Sequence, residues 1–120
     1  MPAQTATLHA WKRVPKKEVT TGLVRQFVTA SRVTIARFSM ARGCVVPPHA
    51  HENEQVTYVV SGALKFSVDG QPVLVRAGEL LEIPPNVPHG VEVVEDTEAI
   101  DVFSPIRQDW VDGTDSYFRR

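Results

Sequence analysis

His49 and His51, one residue apart in "PPHAHENEQVTYVVSG" (residues 47–62), are followed by the carboxamide of Gln55 and then by an apolar run. In extended chain, residues i and i+2 point to the same side with Cα atoms about 6–7 Å apart, so both imidazoles can be aimed at one point. Two neutral imidazoles make half a metal site. A third, His89, stands in "PPNVPHG", where three prolines restrict the backbone and give the side chain a defined direction. Gln55 can complete the set through its amide oxygen if "HEN" turns and the chain returns along the next strand. A lone histidine in a strand is ordinarily a surface or core residue. Here three of the four histidines fall into one pattern, and only His9 is isolated.

The elements that must position these groups are strands. "GLVRQFVTA", "SRVTIARFSM", "QVTYVVSGALKFSV", "QPVLVRAG", "LLEIPP", "GVEVVED" and "EAIDVFSP" are short, rich in Val, Ile, Phe and Thr, and punctuated by Gly, Pro, Asp or Asn. Such a series predicts an all-β sandwich or barrel with little helix. "VDGQPV", "PPNVPHG" and "EDTE" are the expected turns, Asp69-Gly70 being suited to a tight hairpin. Alternation in "ALKFSV" puts Leu64, Phe66 and Val68 on the core face, with Lys65 and Ser67 opposite. Only the tail "IRQDWVDGTDSYFRR" could carry a helical turn or two, packing across the barrel. Trp11 and Trp110, near the ends, would close the barrel or contribute to a dimer.

With 120 residues, 42% hydrophobic and 22% charged, the chain suits one domain, residues 1–120, that buries a core without disulfides. A formal charge of −1 and the lack of a basic stripe argue against nucleic acid as a partner. No apolar run reaches the 18 or so residues needed to span a bilayer, and the start lacks a signal-peptide core, so the expectation is a cytoplasmic protein with no membrane partner. The single cysteine, Cys44, lies in apolar "GCVV" and is expected to pack as a small hydrophobe. Glu52 and Glu54 are expected in a solvated turn, and Tyr58 on the face opposite Gln55.

Gly43, His49, His51, Gln55 and Gly62 fall in the register of the first cupin motif, with Gln55 where that family usually has Glu. Gly78, Pro84, Asn86 and His89 follow the second motif, with Asn86 in place of Gly and Val93 in place of the terminal Asn. Asn tolerates the left-handed conformation that Gly provides. Across residues 43–62 and 78–93 the chain therefore resembles the cupin superfamily. That resemblance implies a small jelly-roll β-barrel, an antiparallel double sheet holding a metal inside its mouth, and commonly a homodimer.

The last strand, "EAIDVFSPIRQDW", puts Asp101 and Phe103 on one face. If the aromatic faces inward, so does a carboxylate, which in a barrel cavity costs several kcal/mol unless it is paired, hydrogen-bonded or near a cation. The alternatives are a structural pair with Arg107 or a position on the solvent face. Asp-x-Phe-Ser-Pro followed by Arg-x-Asp-Trp, together with the histidines and Gln55, resembles one cupin branch, the KdgF-type enzymes of pectin and alginate breakdown. Those enzymes open the ring of 4,5-unsaturated uronates. The likeness runs from about Gly43 to Tyr117. By it, His49, His51, Gln55 and His89 would be metal ligands, and Asp101, Phe103 and Arg107 (in the segment 98–120) would be the catalytic residues around them.

The donor set has its own chemistry. Three imidazoles and an amide leave a divalent ion its full +2 charge, favouring Lewis-acid work over oxygen activation. Zinc, nickel, iron, manganese and copper all suit such a site. The expectation is one divalent transition metal and a small oxygen-rich sugar acid as substrate, with Asp101 moving a proton and Arg107 either gripping the substrate carboxylate or orienting Asp101. A metal-dependent dioxygenase, a polyketide-cyclase-like enzyme and a non-catalytic small-molecule-binding cupin are the alternatives.

Overall fold

A computed structural model describes residues 5–115. The ends of the expected domain, residues 1–4 and 116–120 with Tyr117 among them, lie outside the described residues. The chain forms β1 (Lys17–Thr20), β2 (Leu23–Thr29), β3 (Thr34–Met40), β4 (Val45–His49), β5 (Glu54–Val68), β6 (Gln71–Arg76), β7 (Leu80–Ile83) and β8 (His89–Ser104). A short helix α1 (Gln108–Asp112) and a 3-10 turn at Trp11–Arg13 are the helical parts. Among the described residues no helix is long and apolar enough to cross a membrane.

The long strands β5 and β8 run antiparallel from Glu54↔Ser104 to Val68↔His89 and serve two layers. The first half of β5 and the second half of β8 continue on one side to β3, β2 and β1 and on the other to β7. Their remaining halves carry β6 and β4. The layers close over Leu23, Ala36, Phe38, Val59, Leu64 and Phe66, each less than a tenth exposed. Burying a side chain of this size stabilises the fold by roughly 1.5–3 kcal/mol. Leu64 and Phe66 are buried and Lys65 is exposed, as the alternation predicts.

The Asp69-Gly70 turn forms with positive φ at both residues, 49° and 80°. The expected turn at "EDTE" does not form. β8 continues through Asp96 and Thr97, and the irregularity is absorbed as a bulge opposite Ser61–Ala63. The Thr97 hydroxyl accepts from the Ala63 N–H at 3.1 Å, and Gly62, at φ 92°, lies against the backbone of Asp96 and Thr97. Polar "EDTE" marks a bend inside a strand, where side-chain hydrogen bonding replaces the ladder. β1 and β4 were not among the expected strands. β4 contains Pro47 and Pro48, which a strand accepts only at an edge, and β4 pairs with β8 alone.

Candidate metal centre

His49 ends β4 and pairs in register with His89, the first residue of β8. His51 lies just beyond β4 in the loop to β5, so the paired histidines are not two positions of one strand, as the spacing suggests. The loop is tied down instead by the Asn86 N–H, which donates to the His51 carbonyl at 2.8 Å from a residue at φ 64°. The histidines nevertheless converge, with one ring nitrogen from each within 4.8 Å of the others.

Each ring is aimed by main chain. His49 Nδ1 bonds to the Pro47 carbonyl at 3.0 Å, His89 Nδ1 to that of Val87 at 2.9 Å, and His51 Nδ1 to that of Asn53 at 3.0 Å. A carbonyl can only accept, so each Nδ1 carries the proton and each Nε2 presents a lone pair. His49 and His89 use the same local device, a proline immediately before the histidine and a ring bond to the carbonyl before that proline. Proline fixes its own φ and holds the preceding residue extended, which presets the reach.

Gln55 Oε1 stands 3.1 Å from His51 Nε2, while its Nε2 donates to Thr57 Oγ1 at 3.0 Å. Two acceptors therefore face each other, and the buried His89 Nε2 has no hydrogen-bond partner. Such orphaned lone pairs are costly unless a cation sits among them. The donors fit a divalent transition ion: neutral nitrogens and one amide oxygen, with each ring's other nitrogen secured. Burial pushes His49 and His51 down to about 4 and lowers His89, with the positive charge of Arg107 acting in the same direction, so the rings are neutral and ready for metal at pH 7.

Asp101 and Phe103 face inward beside these groups, paired in register with Thr57 and Gln55. The solvent-face alternative for Asp101 is thereby overturned, since the residue is only 7% exposed. Burial pushes its carboxyl up to about 6, against the opposing pull of the Thr57 hydroxyl and of Arg107. Arg107 is buried and its guanidinium lies over the rings of Phe103 and Trp110, 4.7 and 4.2 Å from their centroids. Its forked pair is with Asp109, Nε to Oδ1 at 3.0 Å and Nη2 to Oδ2 at 2.8 Å, and it holds the Asp109 carboxyl below the usual range although burial acts the other way. One edge of the guanidinium, Nε and Nη2, is thus engaged two residues along the chain. Phe103 packs edge-on to His51 with centroids 5.7 Å apart.

Cys44 packs against the core and Glu52 is exposed in a bend as expected, while Glu54 is exposed as the first residue of β5 and not in a turn. Sequence reasoning passed over Asn53, Thr57 and Arg25. Asn53 is buried and donates to the carbonyls of Pro105 at 2.6 Å and Ile106 at 3.0 Å, binding the histidine loop to the chain beyond β8. Its place between His51 and Gln55 was the available signal. Arg25 lies buried against Trp110, 4.2 Å from the ring, and pairs with Asp115 at 3.3 Å. Arg25 and Thr57, with His49, His89, Gln55 and Asp101 and with apolar side chains of the core, line a cavity of about 60 Å³.

This barrel and its histidine cluster define a class of protein, and the comparisons agree on it. Residues 36–103 match the cupin domain, and the chain belongs to the cupin family. It is 29% identical over 100 residues to the pectin degradation protein KdgF of Dickeya dadantii, covering 81% of this chain and 91% of that protein. The structure of KdgF from a Halomonas species superposes with a TM-score of 0.82 at 28% identity, covering 88% of this chain and 99% of that one. An RmlC-like cupin from Shewanella frigidimarina superposes with a TM-score of 0.81 at 30% identity, covering 89% and 97%. Bacillus subtilis oxalate decarboxylase, at 17% identity and a TM-score of 0.74, shares the fold.

Proposed function

We propose that this cupin is a metal-dependent, non-oxidative enzyme that opens the ring of a 4,5-unsaturated uronate to a linear keto sugar acid. The observation that carries the reading is a wholly neutral donor set, His49, His51, His89 and Gln55, beside a buried carboxyl, Asp101, whose pKa is pushed up to about 6. The similarity to two KdgF proteins, one of them named for pectin degradation, supports a pectin-derived sugar acid as the substrate. A divalent ion held by those four residues would supply Lewis-acid polarisation with its charge undiminished by an anionic ligand.

Ring opening is an isomerisation, so one group can serve as base and then as acid. Asp101 takes the proton of the anomeric hydroxyl as the C1–O5 bond breaks with its electron pair going to O5, giving an aldehyde at C1 and an enolate, the ionised enol, at C5. It then returns that proton to C4, and the enolate becomes the 5-ketone. A carboxyl with a pKa near 6 exchanges protons in both directions close to neutral pH. Arg107, committed to Asp109, acts through its charge, favouring the ionised Asp101 and an anionic substrate. Phe103 walls the site beside His51 and keeps water from the enol. In this reading the working assembly is a homodimer joined through the outer sheet face, where Ile35, Tyr58, Leu80 and Val102 are exposed.

The test is turnover of unsaturated galacturonate monomer by metal-loaded protein, followed as loss of the enol-ether absorbance with dissolved oxygen recorded in parallel. Metal-dependent loss without oxygen uptake supports the reading. Oxygen consumption would place the chain among oxidative cupins, and binding without turnover would make it a sensor or carrier.

A further inference from the structure

We infer that the Thr57 hydroxyl is a positioning group, selecting which end of the Gln55 amide faces the three imidazoles. The inference rests on the reading of His49, His51, His89 and Gln55 as metal ligands. A glutamine amide has two ends of nearly equal size and opposite chemistry, an oxygen that can ligate a cation and an NH2 that cannot. Rotating the amide by half a turn would therefore delete a ligand while leaving the packing unchanged.

The surroundings of Gln55 favour the wrong end. With its Nδ1–H donated to the Asn53 carbonyl, His51 offers only a lone pair at Nε2, which stands 3.1 Å from the amide. An NH2 at that distance would make a good hydrogen bond, whereas the oxygen found there makes none until a cation arrives. Something on the far side of the amide must hold the oxygen forward. Thr57, two residues on and on the same face of β5, is 1% exposed and accepts the Gln55 NH2 at 3.0 Å.

A hydroxyl could satisfy either end of the amide, since it both donates and accepts. The strand register decides which. Thr57 pairs with Asp101 on one side and with the apolar Leu81 on the other. The Asp101 carboxyl offers an acceptor in either protonation state, and the Thr57 side chain is hydrogen-bonded to it. The single hydroxyl proton is drawn to Asp101, leaving Oγ1 as an acceptor that only the NH2 of Gln55 can meet. Asp101, Thr57 and Gln55 thus form one directed line ending at the metal position. A glutamate at position 55 would need no such device, because both of its ends are oxygen.

The experiment measures the zinc dissociation constant by chelator competition for wild type, Thr57→Val and Thr57→Ser, each also in a Gln55→Glu background, with thermal unfolding in chelator as a check on folding. Thr57→Val is expected to weaken zinc binding about 10-fold or more, the usual scale for losing a group that orients a ligand, and Thr57→Ser to restore it to within about threefold. In the Gln55→Glu background the valine substitution is expected to change affinity by less than about threefold. Equal weakening in both backgrounds, or none in either, overturns the role of Thr57 while leaving the metal site standing. Wild-type protein that binds no zinc overturns both readings. Should Thr57→Val fail to fold, Thr57→Ala carries the same comparison.

Discussion

At the scale of the residue, Asp101 and Gln55 separate proton transfer from metal charge. Asp101→Asn keeps the size of the side chain and an acceptor for Thr57, so metal binding is expected to persist while turnover falls about 10²–10⁴-fold, the span usual for general acid–base groups. Near-normal turnover in the loaded variant would reject Asp101 as the proton carrier. Gln55→Glu is expected to bind the ion more tightly and turn over about 10-fold more slowly, because an anionic ligand weakens the Lewis acid. Titrating both variants with metal before the assay separates the two effects. The three histidines, Gln55 and Asp101 could be found from their identities and spacing, since a ligand or a strand carboxylate announces itself by type. Thr57 could not, and Asn53 offered only its place between His51 and Gln55, because their contributions are hydrogen bonds to groups whose positions only the folded chain defines.

At the scale of the element, the bend in β5 and β8 decides whether the two layers meet. Gly62 sits in that bend at φ 92°, where an added Cβ would lie 2.8 Å from the Thr97 Cα as well as against the Asp96 carbonyl. Gly62→Ala is therefore expected to cost about 3 kcal/mol or more, from left-handed strain and overpacking together, read as a lower midpoint in urea with the slope unchanged. A loss under about 1 kcal/mol would show that the bulge can shift to make room. Alternation over Leu64–Val68 and the Asp69-Gly70 hairpin were legible because period-two burial and turn chemistry are local. The "EDTE" bend was misread because a bulge and a turn draw on the same residues, and only the partner strand distinguishes them. β4 was hidden for a related reason: its two prolines suppress strand propensity, although an edge position accepts them.

At the scale of the whole molecule, the site is held at a cost that depends on pH. His49, His51 and His89 have folded-state pKa values below the ordinary 6.5, so the unfolded chain binds more protons, and the stability they contribute above pH 6.5 is lost as pH falls toward about 4. Asp101 acts in the opposite sense: its folded pKa near 6 lies above 3.8, and its contribution is lost as pH rises through 6. Three histidines outweigh one carboxyl. The Tm of metal-free protein is expected to drop by roughly 5 °C or more between pH 6.5 and 4.5. A flat or rising Tm over that interval would show that the rings are not held neutral by the fold. The closing of the barrel was only half legible: the tail was expected to pack across it, yet the clasp of Arg25 and Arg107 on Trp110 depends on residues more than eighty positions apart. The main-chain aiming of the three imidazoles has an evolutionary consequence. Because their orientation is inherited with the backbone, the side chains lining the cavity, Thr57 apart, are free to diverge without misdirecting the histidines. Descent can then change what such a barrel acts upon while the ion-holding geometry passes on intact.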